Sequence, residues 1–322
     1  MYSTLFSPNF VKKSLALYEL HFEKNAIYRK FCEGIGRTPN RVKELYDIPF
    51  MPIEFFKNHR IYIGKNEPEL DFKSSGTTQG FENRSTHYID KLEHYQKALK
   101  FCFQDFFESK EPMSLFALLP GYIQNKSSSL IFMLEELHNL GVLNLKGYYL
   151  INHDKLISDI EICMKKGEKV LLWGVTFGLL DFAEKYRIDL KEHIVLETGG
   201  MKGRRKELTR TEVHSVLKNA FNVDAIYSEY GMTELLSQSY SNGEGLFKMN
   251  DNFGVLIRDI YDPLSYLGIG KSGILNIIDL ANSHSCPFIA TQDLGRIHKN
   301  GLFEVLGRVD NSDVRGCNLL SG

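Results

Sequence analysis

Long apolar runs, paired cysteines and an excess of charge of either sign are what this sequence lacks, and each absence closes a class of function. No segment approaches the roughly 20 apolar residues that a membrane-spanning helix needs. The most apolar stretch, Ser114 to Pro120, has the size of a strand. The first residues, Met1 to Phe10, have no basic patch followed by an apolar run, so they do not read as a secretory signal. The five cysteines, Cys32, Cys102, Cys163, Cys286 and Cys317, are odd in number, scattered and without a CxxC pair. That spacing excludes a zinc knuckle and a disulfide scaffold, and it suits the reduced thiols of a cytoplasmic protein. With 39 basic and 40 acidic residues the formal charge is −1. No general grip on nucleic acid or an anionic membrane follows from that balance, although a local patch for an anionic ligand is compatible with it. There is no GxxxxGK[ST] loop, no internal repeat and no low-complexity linker.

What is present is an ordinary globular composition, 322 residues with 43% hydrophobic and 25% charged, enough for one large domain or two intimate ones. The apolar spacing over 10–33 predicts a helix ending near Gly34 and Gly36. The prolines of Ile48-Pro49-Phe50-Met51-Pro52 argue against a regular element there. From about residue 71, short apolar strands (115–119, 147–151, 170–173, 194–197, 225–227) alternate with amphipathic helices (90–107, 127–140, 154–166, 177–186, 206–221). That alternation predicts an α/β fold, a parallel sheet flanked by helices on both faces, with ligands beyond the carboxyl ends of its strands. After about Ser241 the pattern becomes β-rich, with strands expected at 246–249, 253–258, 273–279, 288–291 and 302–306. Three parts follow: an N-terminal helical segment over 1–70, an α/β nucleotide- and acid-binding part over 71–240, and a β-rich subdomain with a hinge-like tail over 241–322.

Four short motifs carry chemistry. Ser74-Ser75-Gly76-Thr77-Thr78-Gln79-Gly80 offers backbone N–H groups and hydroxyls to phosphate oxygens, and is equally the composition of a plain turn. Tyr230-Gly231-Met232-Thr233-Glu234 follows a predicted strand. Its tyrosine ring suits a purine base and Glu234 suits magnesium on phosphates; the bland reading is a turn before a helix. Asp293, within Thr291-Gln292-Asp293-Leu294-Gly295-Arg296, is placed to accept ribose hydroxyls or to serve as a turn aspartate. Gly307-Arg308-Val309-Asp310 offers a phosphate or ribose contact and a hinge. Tyr122, Trp173, Gly174, Phe177, Ser228 and Met232 follow strand ends and could wall an acid pocket, or be core.

As an ordered set these motifs resemble the signature of adenylate-forming enzymes, which activate a carboxylic acid with ATP. The resemblance implies that Ser74, Ser75, Gly76, Thr77 and Thr78 form the phosphate loop. It implies a nucleotide-binding role for Tyr230, Gly231 and Thr233, and magnesium coordination by Thr78 and Glu234. It further implies that Glu197-Thr198-Gly199-Gly200-Met201 lies along the adenine, that Asp293 binds the ribose, and that Arg308 takes part in catalysis at the hinge. A closer likeness runs through Ile48 to Lys57, Phe72 to Thr77, Thr198-Gly199-Gly200 and Gly316-Cys317, and is to the acyl-protein synthetases of fatty-acid reductase complexes in luminous bacteria. It implies activation of a fatty acid, transfer of the acyl group from AMP to Cys317, and delivery to a partner reductase or carrier.

Some features depart from the wider pattern. Gln79 interrupts the loop, the usual lysine after it is missing with Arg84 the nearest cation, and nothing in the chain matches the mobile C-terminal domain of acyl-CoA synthetases. Two alternatives stay open. One is a phenylacetate-CoA-ligase-like enzyme that delivers the acyl group to CoA or a carrier protein. The other is a nucleotide-binding subunit that has lost the chemistry.

Overall fold

The computed structural model describes residues 5–74, 84–108, 111–120, 128–199 and 208–309. Helix α1 (Pro8–Lys24) starts at Ser7, whose hydroxyl accepts from the Phe10 N–H at 3.1 Å, with Pro8 in the first turn where its missing donor costs nothing. The helix expected over 10–33 is broken at Asn25. Its side chain accepts from the N–H groups of Ile27 and Tyr28 and so begins α2 (Ala26–Gly34). The proline-rich segment does hold a short strand, β1 (Met51–Pro52), paired parallel with Ile289 and Ala290. Pro52 has no N–H to give, and the following Ile53 N–H bonds Ala290 O at 3.1 Å instead. After α3 (Phe55–Asn58) comes a hairpin absent from the sequence reading, β2 (Leu70–Lys73) and β3 (Thr86–Ile89).

The alternation that follows is close to expectation: α4 (Leu92–Phe107), β4 (Met113–Leu118), α5 (Ser129–Asn139), β5 (Leu143–Tyr149), α6 (His153–Lys165), β6 (Val170–Val175), α7 (Thr176–Lys185), β7 (Ile194–Thr198), α8 (Arg210–Phe221) and β8 (Tyr227–Tyr230). The chain then runs through β9 (Ser239–Ser241), β10 (Leu246–Phe247), β11 (Phe253–Arg258), β12 (Ser272–Asp279), β13 (Phe288–Ile297) and β14 (Phe303–Arg308). Strand β13 reaches six residues past the expected Thr291, carrying Asp293 inside the ladder rather than in a turn after it.

Among the described residues, twelve strands form one sheet in the order β11-β12-β13-β14-β10-β9-β8-β7-β6-β4-β5, with β1 on β13. Strands β5, β4, β6, β7 and β8 are parallel, and from β8 onward the pairs are antiparallel. The sheet crosses residue 241 through the β9–β10 pair. The three-part division made from composition therefore stands as a proposal about folding units, not about separate sheets.

Strand alternation sorts the parallel half into two cores. Leu115, Ala117 and Trp173 face α4 and α5, whereas Phe116, Leu118 and Leu172 face α6, α7 and α8. A third core joins α1 and α2 to the antiparallel half through Phe10, Tyr18, Tyr28, Phe253 and Phe288. No helix among the described residues is long and apolar enough to cross a membrane.

Candidate functional site

Among the described motif residues, Tyr230 at the end of β8 meets Asp293 and Arg308. Tyr230 ends β8 and points across to β13, where its phenol donates to Asp293 Oδ2 at 2.7 Å. Asp293 is opposite Arg308 in the β13–β14 register, and the Arg308 Nε lies 3.9 Å from Asp293 Oδ1. Burial raises the Asp293 carboxyl above its ordinary range, more than the Tyr230 hydrogen bond and the Arg308 charge pull it down. Arg308 itself is largely exposed, with its guanidinium available to an anion.

Tyr230 departs from the sequence reading in its environment. Its ring is buried and met edge-on by Phe247, Phe253 and Phe303 at centroid distances of 5.8–6.4 Å. What it presents to the site is its hydroxyl through Asp293, rather than an open ring face.

Glu234 is buried four residues on, its carboxyl raised by burial and eased by a hydrogen bond from Ser85 and the charges of Arg308 and Lys57. Ser85 ties this carboxylate to the phosphate-loop candidate. Ser74 and Ser85 close the base of that loop, the Ser85 N–H donating to Ser74 Oγ at 3.0 Å and the Ser74 N–H to Ser85 O at 3.0 Å. Ser74 is the one residue of the loop within the described part; Ser75, Gly76, Thr77 and Thr78 lie outside it. So do Gly200, Met201, Tyr122, Asp310 and Cys317. Gly199 ends the β7 segment with φ +74°, a left-handed conformation that suits glycine.

Several buried polar residues that sequence reasoning missed shape the Tyr230–Glu234 turn. His87 on β3 bonds the Thr233 carbonyl through Nδ1 at 2.8 Å and Asn282 Oδ1 through Nε2 at 2.9 Å. Burial lowers its pKa to about 4, and the neutral ring carries one N–H, so it donates to one of these two oxygens at a time. Asn282 in turn donates to the Glu234 carbonyl at 2.8 Å. Asp279, fully buried at the end of β12, accepts from the N–H groups of Leu236 and Ser237 and from the Ser237 hydroxyl. The available signal was weak: polar residues at inward positions of otherwise apolar strands, such as His87 two before Ile89.

Beneath the β7 end lie two carboxylates. Burial pushes Glu197 up, but the His214 imidazole, the Arg210 guanidinium and the Thr176 and Ser228 hydroxyls together outweigh it, leaving the group below its ordinary range. Glu229, bonded by the Thr198 hydroxyl, is lifted by burial and by the Glu197 charge to about 7. Its carboxylate curls beside Gly231, where a Cβ would strike it.

Of the acid-pocket candidates, Tyr122 lies outside the described residues. Trp173 and Phe177 are sealed in the core, and Ser228 is engaged by Glu197 and Arg210; Met232 alone stays half-buried near the motif. Cys32, Cys102, Cys163 and Cys286 are buried thiols with pKa values raised by burial, which disfavours the nucleophilic thiolate.

Comparison with known proteins gives the arrangement a context. Residues 5–321 match the family profile described as acyl-protein synthetase, LuxE. The chain is 23% identical over 330 residues to the long-chain-fatty-acid–luciferin-component ligase of Vibrio harveyi, covering 94% of this chain and 84% of that protein. Among solved structures, 2-hydroxyisobutyryl-CoA ligase in complex with its acyl-adenylate and CoA aligns at TM-score 0.68 and 13% identity, over 97% of this chain and 72% of that one. ATP-bound MatB from Rhodopseudomonas palustris aligns at TM-score 0.57 and 15% identity, over 76% of this chain and 49% of that one. The chain thus spans about half the length of the MatB structure. These likenesses establish the fold as that of adenylate-forming enzymes.

Proposed function

The chain belongs to the acyl-protein synthetase, LuxE, family, and from that membership we propose that it activates a carboxylic acid with ATP and passes the acyl group to a thiol. A fatty acid is the substrate class that the name of the Vibrio harveyi relative suggests. The observation that carries the reading is the convergence of motif residues far apart in the chain. Tyr230 bonds Asp293, Asp293 faces Arg308, and Glu234 reaches the base of the Ser/Thr/Gly loop through Ser85.

In the first step an oxygen of the acid carboxylate attacks the α-phosphorus of ATP. A new P–O bond forms, the bridging bond to the β-phosphate breaks, and pyrophosphate leaves with the electron pair. Asp293 is the ribose acceptor in this assignment, and Gly199 and the residues after it border the base. Arg308, exposed beside Asp293, stabilises charge developing on the phosphate oxygens. The donor set fits magnesium, because Glu234 is a buried carboxylate with too little positive charge around it to hold its pKa down. Glu234 would bind the ion together with Thr78 and the phosphates, as magnesium prefers. When bound, the ion would neutralise phosphate charge during the displacement.

In the second step the Cys317 thiolate attacks the acyl carbonyl, the C–S bond forms, the mixed-anhydride C–O bond breaks and AMP departs. An acyl-accepting reductase or carrier protein is the onward partner.

The test separates the half-reactions. Cys317→Ser is expected to release pyrophosphate from ATP and a fatty acid while gaining no hydroxylamine-cleavable acyl mass. Wild-type protein that makes acyl-CoA from added CoA and never acquires acyl mass would replace this reading with the CoA-ligase one, which the CoA-bound 2-hydroxyisobutyryl-CoA ligase likeness favours. No product with any acid would favour the inactive-subunit reading.

A further inference from the structure

Past the end of β3, three side chains from separate segments converge without a role in the reaction above. Asp90 follows β3, His94 lies in the first turn of α4, and His284 sits in the β12–β13 turn. One ligand atom from each lies within 4.8 Å of the other two. We propose that these three residues bind a divalent cation of the zinc class, which ties the hairpin under the phosphate loop to the β12–β13 turn.

The supporting geometry is that of ligands held ready. His284 Nε2 and Asp90 Oδ2 are 3.7 Å apart, too far for a hydrogen bond, so neither satisfies the other. Around a tetrahedral zinc with bonds of about 2.0–2.1 Å, neighbouring ligand atoms lie about 3.3 Å apart. Small side-chain rotations close the present spacing to that value.

Each ligand is oriented from behind. The Tyr62 hydroxyl donates to Asp90 Oδ1 at 2.7 Å, leaving Oδ2 turned toward the imidazoles. His284 Nδ1 contacts the Ser283 hydroxyl at 3.1 Å, which leaves Nε2 as the metal-facing nitrogen. The turn itself is fixed by the Ile63 N–H on the His284 carbonyl at 2.9 Å and by the Ser285 hydroxyl on the Ile61 carbonyl at 3.1 Å. Outer partners of this kind set ring orientation in metal sites. The imidazoles of His94 and His284 lie face to face, 5.6 Å between centroids. His94 is exposed and His284 partly so, which leaves an open fourth position for water.

Two imidazoles and one carboxylate suit zinc and its neighbours in the first transition row. Magnesium and calcium demand oxygen ligands. The site is therefore chemically distinct from the magnesium assigned to Glu234. Its consequence is mechanical. The hairpin that bears Ser74, Ser85 and His87 already meets the β12–β13 turn through the His87–Asn282 contact. The ion would add a second tie to the same turn.

The experiment uses the full chain, free of any histidine tag and stripped with a chelator, titrated with cobalt and with zinc. The expected result is one ion per chain, with a visible ligand-field band for cobalt and a higher Tm with zinc, since the ion binds the folded chain alone. His94→Ala, His284→Ala and Asp90→Asn should each weaken zinc at least tenfold, the last keeping the side-chain volume in case the alanines fold poorly. Millimolar magnesium should leave the cobalt band unchanged. Hydrogen exchange over 86–89 should slow when zinc is added. Absence of stoichiometric binding, wild-type affinity in all three variants, displacement by magnesium, or unaltered exchange in the hairpin would each overturn the proposal.

Discussion

Asp293 holds two partners at once, a phenol on one oxygen and an arginine near the other, while burial keeps its pKa up. In the proposed role, a ribose hydroxyl arriving at this carboxylate would find an acceptor already oriented. Replacing Asp293 with alanine is expected to weaken ATP by about 1.5–3 kcal/mol, the range for hydrogen bonds to a charged group. Tyr230→Phe should weaken ATP by less, since the carboxylate remains. It should also cost folding stability, because a buried acceptor loses its donor. Calorimetry and denaturant midpoints measured on both variants check this; equal ATP affinity in well-folded Asp293→Ala would remove the residue from the site. Nothing in the sequence announced the Tyr230–Asp293 bond. The motifs named both residues, but their contact spans 63 positions and depends on how the sheet brings β8 near β13.

At the scale of elements, the packing of α1 on the antiparallel half turns on one glycine. Gly254 in β11 has Phe6 and Phe10 so close that a Cβ would meet each ring at 2.7 Å. Gly254→Ala should therefore cost about 1–3 kcal/mol by overpacking, with Tm lowered and the nucleotide affinity retained. An unchanged Tm would mean that α1 docks elsewhere.

The same scale shows what the sequence made legible. Strands β4 and β6 are buried on both faces and read as apolar runs, so their existence was plain. Asn25 went unseen as a break because the apolar spacing continues through it, and a cap is a matter of one side chain bonding two N–H groups. The β2–β3 hairpin alternates charge with burial in strands of only four residues each, too little local signal for a strand. Strand β13 looked finished at Thr291 because Gln292, Asp293 and Arg296 are polar. Yet their backbone groups go on pairing with β14 past an irregularity at Leu294–Gly295. The site was legible to the extent that its residues recur in named motifs. Its supports, His87, Asn282 and Asp279, were not, because their value lies in partners more than forty positions away.

For the whole molecule, buried titrating groups set opposing pH dependences. Burial lifts Glu229 from 4.5 to about 7, so the folded state keeps a proton that the unfolded chain loses over that span. Its stabilising contribution is full below about 4.5 and is lost as pH rises to about 7. His87 runs the other way: with its pKa lowered from 6.5 to about 4, its contribution is present above 6.5 and lost as pH falls to about 4. Glu229→Gln leaves His87 unopposed. Stability should then fall more steeply on acidification, by about 1 kcal/mol per pH unit near the middle of the window, less what solvent screens at the half-buried carboxylate. Denaturant midpoints of the two proteins across that window check it, and parallel slopes would show Glu229 ionised in the fold. The central tryptophan has a consequence of another kind. Trp173, the chain's single tryptophan, is fully buried on β6 between Phe103 and Tyr240. Optically, then, the protein carries one label at the heart of its parallel half. Red-edge excitation reports when that half opens and is blind to the strands bearing Asp293 and Arg308. Recorded beside circular dichroism, its emission tells whether the one continuous sheet melts as one body or as two.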